Sequence, residues 1–200
     1  MYLSLTSGWI GVSLVLRELG EGDSSMKKIS HPWARYRRNM GLTQSSVAAS
    51  VGVTRHYIIR LEQSLFWHPS DSLLVRLSIL YDIELGEFEE SYYRYVRDTR
   101  EEFARTHSSF EALFGSGLRS LVWDKHPLVI YRERHGLSRM GLCKGLCLHY
   151  DPISEYEANK QRDIPAQLEE ACDDIKWDYQ PLVRAVAEWR ISGRADKQAS

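Results

Sequence analysis

Cysteine is scarce in this chain of 200 residues, with three at positions 143, 147 and 172. An odd and small number supplies no disulfide framework, so the thiols are expected to be reduced. The spacing Cys143-x3-Cys147-x-His149 is wider than that of a structural zinc pair and lacks a fourth ligand, and Cys143 reads instead as a small core residue. No metal or cofactor is expected. Long apolar runs are also missing. Residues 9–16 (WIGVSLVL) form a stretch of only eight, too short to span a bilayer. It lacks the basic start and small-residue cleavage site of a signal peptide, so a cytoplasmic protein without a membrane partner is expected. Met26-Lys27-Lys28 reads as a natural start, and residues 1–25 are therefore expected to be a dispensable extension. Alternating strand patterns are absent, which predicts an all-α fold. No Ser/His/Asp constellation, glycine-rich phosphate loop, paired metal motif or Ser/Lys arrangement stands out, so the chain does not read as an enzyme.

An excess of positive charge is lacking overall, since the formal net charge is −1. Nucleic acid would be a poor partner for such an average, because Lys and Arg contacts to phosphate dominate affinity. The distribution reverses that reading. Between Lys27 and Leu61 there is no acid at all, against seven bases: Lys27, Lys28, Arg35, Arg37, Arg38, Arg55 and Arg60. The acids concentrate in residues 84–90 and 169–178, which leaves one basic module in an acidic remainder. At 43% hydrophobic residues, one large or two small domains can be filled.

Two copies of one pattern are present. His31-Pro32-x3-Tyr36-Arg37-x3-Gly41-Leu42 recurs 95 positions later as His126-Pro127-x3-Tyr131-Arg132-x3-Gly136-Leu137. The register continues without a gap through Val47 and Leu142, Ala48 and Cys143, Val51 and Leu146, Ile58 and Ile153, Leu61 and Tyr156, and Glu62 and Glu157. Pro69 then matches Pro165 with one inserted residue. In the first copy Trp33 to Met40 is predicted to form a helix ended by Gly41, and Thr43 caps a second helix in which Ala48 and Ala49 permit close packing. Gly52 makes a tight turn and Thr54 starts a third helix, with Ile58 and Leu61 inward and Arg55, His56, Ile59 and Arg60 outward. His31 and His126 read as turn residues, and Trp33, Tyr36, Tyr57 and Trp67 as packing. Residues 87–107 suit a long helix, a short one follows to Phe114, and a last one begins at Pro181, with fraying from Gly193.

The run Leu42-Thr43-Gln44-x2-Val47-Ala48-x3-Gly52-Val53-Thr54-x3-Ile58-x2-Leu61-Glu62, followed by Pro69 and a leucine-rich helix, resembles the lambda repressor/Cro-like helix-turn-helix superfamily. The resemblance covers about fifty residues here and, more weakly, the second copy. It implies a third helix lying in the major groove of duplex DNA. Gln44 would then bond a backbone phosphate, and Thr54, Arg55, His56 and Arg60 would face the DNA. Arg55 is expected to read guanine and Ile59 to touch a thymine methyl. Arg37 with Glu62, and Arg132 with Glu157, would be structural ion pairs.

The second copy departs from the pattern. Its third helix carries Asp151, Pro152, Glu155 and Glu157, although Arg139, at the position of Gln44, would still meet a phosphate. This copy is read either as touching a second DNA segment or as a dimerisation or partner-binding platform. The expected organisation is an extension over 1–29, a helix-turn-helix domain over 30–86, a helical linker over 87–124, a degenerate second domain over 125–178 and a C-terminal helix and tail over 179–200. The expected function is a transcriptional regulator, a phage or mobile-element repressor that binds operator DNA. The alternative is an antitoxin-like protein whose acidic C-terminal half binds a partner.

Overall fold

The computed structural model describes residues 31–63, 69–115 and 124–198, with side chains to Ser192. The expectations for residues 1–29 and for Trp67 lie outside the described residues. Among the described residues every regular element is a helix: α1 (Pro32–Asn39), α2 (Gln44–Val51), α3 (Arg55–Gln63), α4 (Asp71–Tyr81), α5 (Leu85–Thr106), α6 (Phe110–Phe114), α7 (Pro127–Arg134), α8 (Arg139–Leu146), α9 (Tyr150–Glu157), α10 (Ala166–Asp174) and α11 (Gln180–Gln198). None of these is long and apolar enough to cross a membrane.

Local chemistry sets the boundaries. Proline opens α1 and α7, where its missing N–H costs nothing, and Gly41 and Gly136 follow each helix at φ 66 and 64, a left-handed turn that side chains disfavour. Thr43 and Ser46 form a reciprocal cap on α2, with Ser46 N–H donating to Thr43 Oγ1 at 3.0 Å and Thr43 N–H to Ser46 Oγ at 2.9 Å. Ser138 caps α8 in the same place. The helix α11 continues to Gln198, past Gly193, where the sequence predicted fraying. One glycine costs a helix only about 1 kcal/mol, and the flanking Arg194, Ala195 and Lys197 favour helix.

The helix starts repeat. Pro32 and Pro127, Gln44 and Arg139, Arg55 and Tyr150, Asp71 and Ala166, and Leu85 and Gln180 are each 95 positions apart. The last pair was not legible as a repeat in the sequence. The helix α11 stands to the second set as α5 stands to the first, with Leu182 and Val186 buried where Phe88 and Tyr92 are buried. Two apolar clusters result. One gathers Trp33, Val47, Ile58, Leu61, Leu74 and Phe88 from α1 to α5. The other gathers Phe110, Tyr131, Leu142, Ile153, Leu168 and Leu182 from α6 to α11.

The 22-residue helix α5, about 33 Å long, serves both clusters. Its N-terminal half buries Phe88 and Tyr92 in the first and its C-terminal half buries Phe103 in the second. Val96 and Arg100 lie on the same stripe, at the four-residue spacing that keeps side chains on one face. Arg100 is only 4% exposed; its Nε donates to Leu146 O at 3.0 Å, and its Nη1 pairs with Asp174 and Glu170 of α10.

His31 and His126 hold the N-cap turns of α1 and α7, as the sequence led one to expect, with His126 Nδ1 accepting the Leu128 N–H at 3.2 Å, and both side chains are in addition buried. Aromatic rings enclose them: Trp33, Tyr92 and Tyr95 around His31, and Tyr156 and Trp189 around His126. Tyr95 of α5 and Trp189 of α11 play the same part, each edge-on with its centroid 5.0 Å from the imidazole. Ala49 is exposed, so of the two alanines in α2 only Ala48 makes the close packing.

Candidate functional site

The outward face of α3 is built from its start. Thr54 Oγ1 accepts the Tyr57 N–H at 3.2 Å, so its hydroxyl caps the helix. Ile58 and Leu61 are each 1% exposed and anchor the inner face. The helical period then turns Arg55, His56 and Arg60 to the exterior, with Ile59 half-buried beside them. The preceding turn passes through Gly52 at φ 70, a left-handed position at which α2 ends.

Behind this face lies an ion-pair network. Arg37 reaches Glu62 through Nε (2.5 Å) and Nη2 (2.9 Å) and donates Nη1 to Leu42 O (2.8 Å). One side chain thereby ties α1 to α3 and to the turn before α2. The Glu62 hydrogen bond stabilises the charged guanidinium and raises its pKa. Gln44 joins the network, donating Nε2 to Glu62 Oε2 at 3.0 Å. Its amide is half-buried and turned to the acid, so the side chain expected to bond a phosphate is engaged within the protein rather than freely projecting.

The second set repeats the arginine–glutamate pair and its carbonyl contact atom for atom. Arg132 reaches Glu157 through Nε (2.6 Å) and Nη2 (3.2 Å) and Leu137 O through Nη1 (3.0 Å). The third member differs. Arg139, expected from the sequence to face a phosphate, is half-buried and engaged by side chains of α9. Its Nε donates to Glu157 Oε2 at 2.6 Å and its Nη1 to Tyr150 OH and Ser154 Oγ at 3.0 and 3.2 Å. The physical cause is Glu157, whose side chain is 1% exposed and gains a second cation in place of bulk water. The guanidinium also lies over the Tyr150 ring, 5.5 Å from its centroid. Arg139 therefore covers the start of α9, and that face presents Asp151 and Glu155 to solvent. The two outward faces are opposite in charge on one backbone plan.

Cys143, Cys147 and Cys172 are free and buried, and burial pushes each thiol up to about 12, which keeps them as inert packing groups. Among the described residues no cluster of three His, Cys, Asp or Glu could hold a metal ion. A cavity of about 180 Å³ lies between α5, the α8–α9 turn and α10, lined by Tyr92, Tyr93, His149 and Glu170, and its buried charge, Arg100, is already engaged by Asp174. Sequence reasoning missed Arg100, whose only signal was its place on the Phe88, Tyr92, Val96 and Phe103 stripe. No family model matches the chain, and no curated protein or solved structure matches it significantly.

Proposed function

We propose that the chain is a sequence-specific double-stranded DNA-binding transcriptional regulator, a repressor of the temperate-phage or mobile-element kind, acting in the cytoplasm of a bacterial host. In this reading α1 to α5 form a lambda repressor-like helix-turn-helix domain, α2 crosses the backbone, and α3 enters the major groove. The observation that carries it is the outer face of α3: Thr54, Arg55, His56, Ile59 and Arg60 stand together beside a glycine turn, in a segment without acids from Lys27 to Leu61. Arg55, nearest the helix start, reads guanine O6 and N7 in a bidentate pair, Ile59 meets a thymine methyl, and Gln44 bonds a phosphate at the rim. Occupancy of the operator blocks polymerase or a competing regulator.

The second set, α7 to α11, is a degenerate copy that works as a partner or dimerisation platform. The exposed acids Asp151 and Glu155 would repel phosphate, which favours this role over a second DNA contact.

Fluorescence anisotropy of labelled duplexes tests the proposal. Full-length protein is expected to bind with affinity that falls steeply between about 50 and 200 mM salt, and Arg55→Ala with Arg60→Ala together to weaken it strongly. Absence of duplex binding at low salt, with capture of a small partner protein instead, would favour the antitoxin-like reading.

A further inference from the structure

The carbonyl that closes the α2–α3 turn is held by an arginine from outside the turn. The last carbonyls of a helix have no partner within it. At the end of α2, Val53 N–H returns to Ala48 O at 3.0 Å, and Val51 O, just before Gly52, is met by a side chain from another helix. Arg76, on α4, donates Nη1 to Val51 O at 2.6 Å. Its Nε donates to Ser72 O, one turn back on its own helix, at 3.1 Å, which fixes the plane of the guanidinium. A Cβ at Gly52 would stand 3.4 Å from that Nη1, so the guanidinium packs on the turn itself.

The second set shows that this carbonyl is held again by different means. The position 95 residues after Arg76 is Ala171, which is fully buried. Leu146 O, the counterpart of Val51 O, nevertheless accepts an arginine N–H, that of Arg100 Nε on α5 at 3.0 Å. Two arginines from non-equivalent positions meet the same turn carbonyl.

We propose that Arg76 is a positioning residue for DNA reading: by clamping Val51 O it sets the angle at which α3 leaves the turn, and it does so without touching a base. This inference rests on the DNA-binding reading. Its consequence is a separation of effects. A phosphate-contacting arginine, when removed, weakens binding to every sequence and lowers the salt slope by about one. A clamp, when removed, degrades only the alignment on which base reading depends.

The test compares wild type, Arg76→Met and Arg76→Lys on a duplex selected by the wild-type protein and on a random duplex, over a range of salt. Both variants are expected to lose about tenfold in the ratio of selected to random affinity, the scale of one charge-assisted hydrogen bond, with random-duplex affinity and its salt slope unchanged. Lysine keeps the charge but cannot hold Val51 O and Ser72 O together, so it should not rescue. Equal weakening on both duplexes with a shallower slope, or full discrimination by Arg76→Lys, overturns the proposal. Amide hydrogen exchange on the free protein separates it from the underlying reading. Arg76→Met should speed exchange at Val53 and Tyr57 about tenfold while the amides of α8 and α9 hold. Unchanged exchange removes the clamp alone, whereas a wild-type chain without any sequence preference removes the DNA reading.

Discussion

Gly145 should resist substitution by alanine, and the reason lies in α5. It sits inside α8, buried against Phe103, and an alanine Cβ there would stand 2.6 Å from Phe103 Cε2 and 3.0 Å from Cγ while overlapping Cδ2 outright. The ring has nowhere to go. It is 0% exposed, stacks on His107 with centroids 4.1 Å apart and meets Trp177 at 5.9 Å. Replacing a helical glycine by alanine ordinarily stabilises by about 1 kcal/mol. Against that stands overpacking of about 1–3 kcal/mol, rising toward the 3–5 kcal/mol of a lost phenylalanine if the ring is expelled. Gly145→Ala should therefore destabilise by up to about 2 kcal/mol net, or by about 2–4 kcal/mol if the ring is expelled, and lower Tm by about 2–4 °C for each kcal/mol. The counterpart 95 positions earlier, Ser50, is exposed, so Ser50→Ala should be neutral or slightly stabilising. Urea unfolding of both variants, together with Phe103→Leu alone and in the Gly145→Ala background, measures the coupling, which should exceed about 1 kcal/mol. A Gly145→Ala protein as stable as Ser50→Ala would refute the close crossing of α5 and α8, and with it the role of α5 in both cores.

The two ion-pair networks predict unequal costs in the same denaturation assay. Arg37→Met leaves the 5%-exposed Glu62 side chain with only the neutral Gln44 and should cost about 3–5 kcal/mol, whereas Arg132→Met leaves Glu157 paired with Arg139 and should cost clearly less. Equal losses would contradict the third-member assignment. Burial lowers His31 and His126 to about 4. The unfolded imidazoles bind protons from about pH 6.5, so this stability is complete above that pH and is lost as pH falls from about 6.5 to 4, on the order of 3 kcal/mol for each group. Neither ring nitrogen of His31 has a hydrogen-bond partner among the described residues, so His31→Phe should be close to neutral at pH 7 and should flatten part of this acid dependence. In DNA binding, Arg55→Ala should lose about 1–3 kcal/mol on the selected site and relax one base position, while Gln44→Ala weakens all duplexes alike. Identical losses on selected and random DNA for both variants would sink that division of labour.

Much of the fold was legible because the repeated residues have local jobs. Pro32 and Gly41 with their counterparts Pro127 and Gly136, and Gly52 in the first copy, set helix ends by backbone chemistry, and the periodic Val47, Val51, Ile58 and Leu61 mark buried faces. The kinship of α11 with α5 was hidden because burial is kept while identity is lost: Leu182 and Val186 fill places taken by Phe88 and Tyr92, and the alignment slides by one residue at the left-handed Asp82 and Lys176. Arg100 escaped notice because a periodicity of apolar residues skips a charge, even one whose partners lie 46 and 74 positions away. The engagement of Arg139 is likewise non-local, set by the burial of Glu157. The outward face of α3 could be read directly, since Ile58 and Leu61 fix which way Arg55, His56 and Arg60 point.

The central claim is that α3 reads base sequence and α9 does not. Enrichment of bound duplexes from a random-sequence pool tests it most directly, using wild type, Arg55→Ala and the double variant Asp151→Ala with Glu155→Ala. Wild type should enrich one motif containing a guanine whose preference disappears in Arg55→Ala, and the α9 double variant should return the wild-type motif unchanged. A pool that shows no enrichment, or a motif that Arg55→Ala leaves intact, would contradict the account.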